Sequence, residues 1–167
     1  HSWLASGWSV VERLNVLSVN LRNLKLSNTI SQNFENFTKN NINELVSLDK
    51  SIFDPYWQNS EAAFIETLDS CNQNYLFKQY DEDLLVGYAI LGVTRNFSFL
   101  QRFGISLGYQ NKGHGSELLK NVLNFAKDNK YTNIRLNTQE NNKAAKNLYV
   151  KHGFELTKTN FTILNAS

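Results

Sequence analysis

Asn142, Ala145 and Tyr149 are spaced i, i+3 and i+7, so a helix through them carries an amide and a phenol on one face. A phenol with a pKa near 10 keeps its proton at neutral pH, which makes Tyr149 a candidate acid. Upstream, Gln110-Asn-Lys-Gly113-His-Gly115 stands between a strand-like run ending at Leu107 and a helical pattern of Leu118, Leu119, Val122 and Ala126. A glycine-rich turn entering a helix presents backbone N–H groups at the positive end of the helix dipole, an arrangement that suits phosphate oxygens. Each pattern also has a plain structural reading: two glycines make a turn, Asn142 caps a helix, and Tyr149 fills a core.

Spacing rules out two familiar nucleotide sites. A P-loop needs Lys-Ser/Thr after its second glycine, whereas Lys112 precedes Gly113. A dinucleotide fingerprint needs glycine or alanine where Leu118 stands.

The elements that must position these residues can be read from periodicity. Ile42 to Phe53 suggests a first helix, Asp54-Pro-Tyr-Trp57 a bend, and Glu61 to Leu68 a second helix. Tyr75 to Tyr80 and Leu84 to Thr94 form a hairpin around Asp81-Glu-Asp, followed by a strand from Phe97 to Leu107. After the glycine-rich helix come a strand over Asn133 to Thr138, the Tyr149 helix with Gly153 as its C-cap, and extended chain through Leu164.

With these elements in place, the chain resembles the GNAT superfamily of acyl-CoA-dependent N-acyltransferases from about Asn40 to Phe154. The stretches that carry the resemblance are Leu100-Gln-Arg-Phe-Gly-Ile105, Tyr109-Gln-Asn-Lys-Gly-His-Gly115, and Asn142-Lys-Ala-Ala-Lys-Asn-Leu-Tyr149 through Gly153-Phe154. Within the superfamily the pattern is most like the ribosomal-protein alanine N-acetyltransferase group. The resemblance implies an α/β (α+β) fold, a mixed central sheet splayed between two core strands and flanked by helices. It implies acetyl-CoA as cosubstrate, with Phe103, Gly104 and Ile105 offering backbone groups to the pantetheine arm. Asn111, Lys112, Gly113, His114, Gly115 and Ser116 would hold the pyrophosphate, with Gln110 also in the cofactor site, Asn142 would contact the pantetheine, and Tyr149 would protonate the departing thiolate. Tyr56 and Trp57 would wall the acceptor pocket, although both could simply pack on the core, and Asn137 would face the acceptor.

Two departures leave the cofactor backbone intact: His114 stands where an aliphatic residue is usual, and Leu107 replaces a common proline. Asn137 matters more, because the alanine acetyltransferase group carries there a glutamate proposed as general base, and an amide cannot take up a proton at neutral pH. Transfer from a thioester needs a neutral amine and then a proton for the thiolate. At pH 7 an α-amine with pKa about 8 is neutral roughly one time in ten, and a lysine near 10.4 about once in 2,500. A site without a strong base therefore favours an α-amine or another weakly basic amine, deprotonated through water or Glu140.

Composition sets the outer limits. With 167 residues, 41% hydrophobic and 13% aromatic, the chain can bury a sizeable core. Its single cysteine, Cys71, excludes an internal disulfide framework and fits a reducing, cytoplasmic setting. No zinc pattern joins it to His1, His114 and His152, so no metal is expected. A net charge of +2 gives no reason to expect nucleic acid, and the longest apolar run, Leu84 to Val93, reads as a buried strand and not a membrane span. Asn-x-Ser/Thr triplets at Asn36, Asn96, Asn160 and Asn165 are what chance gives in an asparagine-rich chain. The expected partner is an amine-bearing small molecule or a protein N-terminus, with the oligomeric state left open.

The first residues stand apart from this order. His1-Ser2 reads as a processing or tag remnant, since the chain has no methionine. Trp3-x-x-x-Gly7-Trp8-x-Val10 parallels Tyr149-x-x-x-Gly153-Phe154-x-Leu156, so residues 1–27 read as an extension left from a preceding degenerate repeat, with the acetyltransferase domain over 28–167. An N-terminal strand of the same domain is the other reading. Two function classes are carried forward: an acetyl-CoA-dependent N-acetyltransferase acting by direct transfer, and a catalytically weak acyl-CoA-binding regulatory module.

Overall fold

The computed structural model describes residues 3–4, 8–26, 33–95 and 97–166, with side chains over 13–26, 33–95 and 97–157. In chain order the elements are β1 (Trp3–Leu4), β2 (Trp8–Asn20), β3 (Glu35–Asn36), α1 (Ile42–Lys50), α2 (Glu61–Ser70), β4 (Gln73–Asp81), β5 (Leu84–Thr94), β6 (Phe97–Ile105), α3 (His114–Asp128), β7 (Asn133–Gln139), α4 (Lys143–Lys151) and β8 (Glu155–Ala166). They form two compact units, Asn20–Ile134 and His1–Val19 with Arg135–Ser167.

In the larger unit β3, β4, β5 and β6 pair antiparallel in that order. β5 is buried on both faces, which is why Leu84 to Val93 reads as a continuous apolar run. On one face Leu76, Tyr88 and Ile90 pack with Ile42, Leu45 and Leu48 of α1 and Phe64 of α2. On the other, Phe77 lies opposite Ala89 and meets Phe125 of α3 edge-on at 5.4 Å. Phe64 is completely buried, with its ring 6.1 Å from Phe37 and 6.3 Å from Tyr88.

A short 3-10 turn, Lys39–Asn41, leads into α1, and Thr38 caps that turn in a capping box with Asn41, the Thr38 N–H donating to Asn41 Oδ1 at 2.9 Å. Helix α1 stops at Lys50, three residues before the end expected from periodicity. There the Ser51 and Ile52 N–H groups reach back only three residues, to Leu48 and Asp49 carbonyls at 3.0 Å, and the tightened turn releases the chain. Ile52 still packs in the core, so the apolar pattern outlasts the helix. Ser60 starts α2 by accepting from the Ala63 N–H at 3.1 Å.

In the smaller unit β2 pairs antiparallel with β8 from Trp8 opposite Ala166 to Ser18 opposite Glu155, with two register shifts. β1 pairs with the start of β2, and β7 is its neighbour, with the Glu140 N–H donating to the Arg13 carbonyl at 2.8 Å. Along β7 the buried Leu136 and Thr138 alternate with the exposed Arg135 and Asn137. The proposed remnant His1-Ser2, Gly7 of the repeat-like motif and the expected boundary at 27/28 lie outside the described residues.

Candidate functional site

The turn that enters α3 has the backbone of an anion cradle. Asn111 and Gly113 both adopt left-handed conformations, at φ 62° and 86°. Gly113 caps α3 with no side chain, and a Cβ there would meet nothing within 4 Å, so the space over the helix start is open. Helix geometry leaves the first N–H groups of α3 without acceptors in their own helix, and fifteen aligned residues add a positive end. Lys112 brings a cation, its Nζ 5.3 Å from the Tyr109 ring centroid.

His114, the departure noted in sequence, braces this turn. Its Nδ1 lies 3.3 Å from Gln79 Nε2 and its Nε2 3.5 Å from Asp81 Oδ2. A ring protonated on Nε2 alone satisfies both, so the imidazole ties the first residue of α3 to the end of β4. Gln110 closes the other side by donating from Nε2 to the Ile105 carbonyl at 3.0 Å.

The register of β6 assigns its backbone groups. The Ser106 N–H donates to the Val86 carbonyl at 2.7 Å, so by the antiparallel alternation Gly104, opposite Tyr88, faces the β5 ladder. Phe103 and Ile105 therefore aim their N–H and C=O groups away from β5. Gly104 contributes space: a Cβ there would fall 2.4 Å from Ile52 Cγ2 and 3.1 Å from the Phe53 ring. The chain after α1 is thus laid directly on β6, and further bonds fix it, Ser51 Oγ to Ser106 Oγ at 2.7 Å and the Leu107 N–H to the Ser51 carbonyl at 3.1 Å.

Tyr56 and Trp57 sit on that same bend, ring centroids 4.9 Å apart and edge-on. Tyr56 is 63% exposed, so it is not a core residue. Sequence reading missed what holds them. Asp49 is completely buried at the end of α1 and receives Arg102 Nε at 3.0 Å and Nη2 at 2.9 Å, the Tyr88 hydroxyl at 2.6 Å and the Asn59 N–H at 2.7 Å. Burial, then the Asp49 charge, pushes the Tyr88 phenol well above the ordinary tyrosine range, so it stays a donor. The available signal was a pair of opposite charges, Asp49 on an otherwise buried helix stripe and Arg102 inside an apolar strand.

In the smaller unit the Tyr149-x-x-x-Gly153-Phe154 spacing is a Schellman C-cap. The Phe154 N–H donates to the Tyr149 carbonyl and the Gly153 N–H to that of Val150, both at 3.0 Å, with Gly153 at φ 100°. The Tyr149 ring packs edge-on against Phe154 at 5.6 Å, the apolar contact such a cap brings. Tyr149 is buried, and burial pushes its phenol above the ordinary range. At the other end of α4 the Asn142 Oδ1 accepts from the Ala145 N–H at 3.2 Å, which leaves its side-chain N–H groups to donate elsewhere.

Each unit therefore collects part of the expected set. Phe103 to Ile105, Gln110 to Ser116, Tyr56 and Trp57 belong to the larger one, and Asn137, Asn142 and Tyr149 to the smaller. Among the described residues, no group of three or more His, Cys, Asp or Glu side chains is placed to hold a metal, and no helix is long and apolar enough to cross a membrane.

Gly113→Val is expected to weaken binding of a phosphate-bearing ligand at this turn at least tenfold by calorimetry. It strains a left-handed position by about 1–2 kcal/mol and puts a branched side chain into the open space of the cradle.

Comparison with known proteins places these features. The sequence model of the acetyltransferase (GNAT) family matches residues 42–154, a span that runs from the start of α1 through the cradle to Phe154. A curated relative, the probable N-acetyltransferase san of Drosophila melanogaster, is 27% identical over 127 residues, covering 73% of this chain and 67% of that protein. Among solved structures, a GCN5-related N-acetyltransferase from Sphaerobacter thermophilus superposes with a TM-score of 0.69 at 15% identity, covering 95% of this chain. This chain spans about half, 52%, of that one. The ribosomal-protein-S18-alanine N-acetyltransferase of Escherichia coli gives a TM-score of 0.60 at 18% identity, covering 71% of this chain and 74% of its own.

Proposed function

The chain belongs to the acetyltransferase (GNAT) family, and from that premise we propose that it moves the acetyl group of acetyl-CoA directly to a weakly basic primary amine, such as a peptide α-amine. The observation that carries the donor half is the cradle, with Asn111 and Gly113 left-handed, open space above Gly113 and the start of a fifteen-residue helix behind it. Asn111 to Ser116 hold the pyrophosphate, the pantetheine arm runs along β6 at Phe103 to Ile105, and Asn142 gives a further amide contact. Acetyl-CoA, when bound, supplies an activated thioester.

In the reaction the amine nitrogen forms a bond to the acetyl carbon and the carbon–sulfur bond breaks. Tyr149 gives its phenolic proton to the leaving sulfur, the nitrogen loses its proton to solvent, directly or through Glu140, and Tyr149 regains a proton from solvent before the next turnover. Since burial raises the Tyr149 phenol, it carries its proton across the whole neutral and mildly alkaline range. Asn137 takes no proton and serves the acceptor as a hydrogen-bonding amide, while Tyr56 and Trp57 wall its entry.

A panel of amines at pH 7 tests this reading. Peptides with a free α-amine are expected to be acetylated faster than ε-amines in α-blocked peptides. Turnover should rise with pH as the acceptor loses its proton, with no fall below about pH 10 attributable to Tyr149. Faster transfer to lysine, or an alkaline fall between pH 8 and 9 that vanishes in Tyr149→Phe, would contradict it.

A further inference from the structure

The bend between α1 and α2 has no ladder of its own, yet it is fixed at both ends by one strand residue. Arg102 Nη2 donates to the Trp57 carbonyl at 2.6 Å as well as to Asp49, and its guanidinium lies 3.8 Å over the Phe53 ring centroid. Through Asp49 the same group reaches the Asn59 N–H at 2.7 Å, so residues 57 and 59 are both anchored to β6. Gln58 closes the loop from within, donating to the Phe53 carbonyl at 3.0 Å. Tyr56 and Trp57 are thereby presented from a bend that Arg102 tethers to the strand bearing Phe103 and Ile105.

We propose that Arg102, acting through Asp49, is a positioning residue for the acceptor: it builds the Asp54–Asn59 wall in advance of binding and thereby sets acceptor affinity. The proposal rests on the acetyl-transfer reading for what the wall faces. A buried ion pair adds little stability over a well-packed apolar pair, so folding alone does not call for a charge here. What a guanidinium alone supplies is a rigid fork for the carboxylate with a further N–H for the Trp57 carbonyl. Ordering irregular chain costs conformational entropy, and here that cost is met in folding and not again by each acceptor.

Arg102→Lys keeps the charge and loses the fork, and Asp49→Asn keeps the shape and loses the charge. In both, amide hydrogen exchange over residues 54–60 is expected to rise about tenfold or more, with the core of α3 unchanged. The acetyl-CoA dissociation constant should stay within about twofold, while KM for a peptide with an N-terminal alanine rises about five- to tenfold and kcat changes less than about threefold. Unchanged exchange over 54–60 in Arg102→Lys would overturn the proposal, as would acetyl-CoA affinity falling in step with acceptor KM. Should the parent protein acetylate no amine, the functional reading fails, and the exchange measurement still decides whether Arg102 holds the bend.

Discussion

Tyr149→Phe is expected to lower kcat by about 10²- to 10⁴-fold, the range for losing a positioned general acid, and to leave acetyl-CoA affinity within about twofold. The ring that packs on Phe154 at 5.6 Å remains, and the Schellman bonds to the Tyr149 carbonyl do not involve the hydroxyl. A core aromatic would behave differently. If Tyr149 only fills space, loss of its hydroxyl changes stability by about 1 kcal/mol and kcat hardly at all. Steady-state kinetics with denaturant unfolding of both proteins separates the two, and kcat within about threefold of the parent would remove Tyr149 from the chemistry.

Asp49→Ala is expected to cost about 3–5 kcal/mol of stability, the usual result of removing one partner from a buried pair. Four donors lose their acceptor at once: two from Arg102, the Tyr88 hydroxyl and the Asn59 N–H. Arg102 keeps the Trp57 carbonyl and the face of the Phe53 ring, and a mostly buried guanidinium is left without its carboxylate partner. Unfolding in urea measures this directly, and a domain of this size should melt about 10 °C lower. A loss below about 1 kcal/mol would mean that water or another acceptor takes the place of Asp49.

The elements of the fold were readable wherever local rules acted alone. The Leu84 to Thr94 strand and the α3 stripe Leu118, Leu119, Val122 and Ala126 lie where periodicity puts them, because each buries the face its pattern marks. α1 ends early because three-residue hydrogen bonds at Ser51 and Ile52 tighten the last turn while the apolar pattern runs on. The pairing of residues 8–18 with 155–166 was hidden for another reason: register between strands so far apart in sequence has no local signature.

The site was legible to the same degree. Backbone-built parts announce themselves, since a left-handed turn needs glycine at 113 and a Schellman cap needs it at 153. The Tyr149-x-x-x-Gly-Phe spacing thus has a structural cause of its own, and a proton-donor role must rest on chemistry in addition to spacing. Parts built by side chains from distant elements left only weak traces. Asp49 and Arg102, 2.9 Å apart across α1 and β6, were each visible just as a misplaced charge.

Acceptor-dependent transfer is measured most directly by thiol release from acetyl-CoA. With the parent protein at pH 7 and a panel of α-amine peptides, α-blocked lysine peptides and polyamines, CoA thiol is expected to appear only when an amine is present, fastest with an α-amine. Tight acetyl-CoA binding with no acceptor-dependent thiol release from any amine would contradict acetyl transfer and leave an acyl-CoA-binding module in its place.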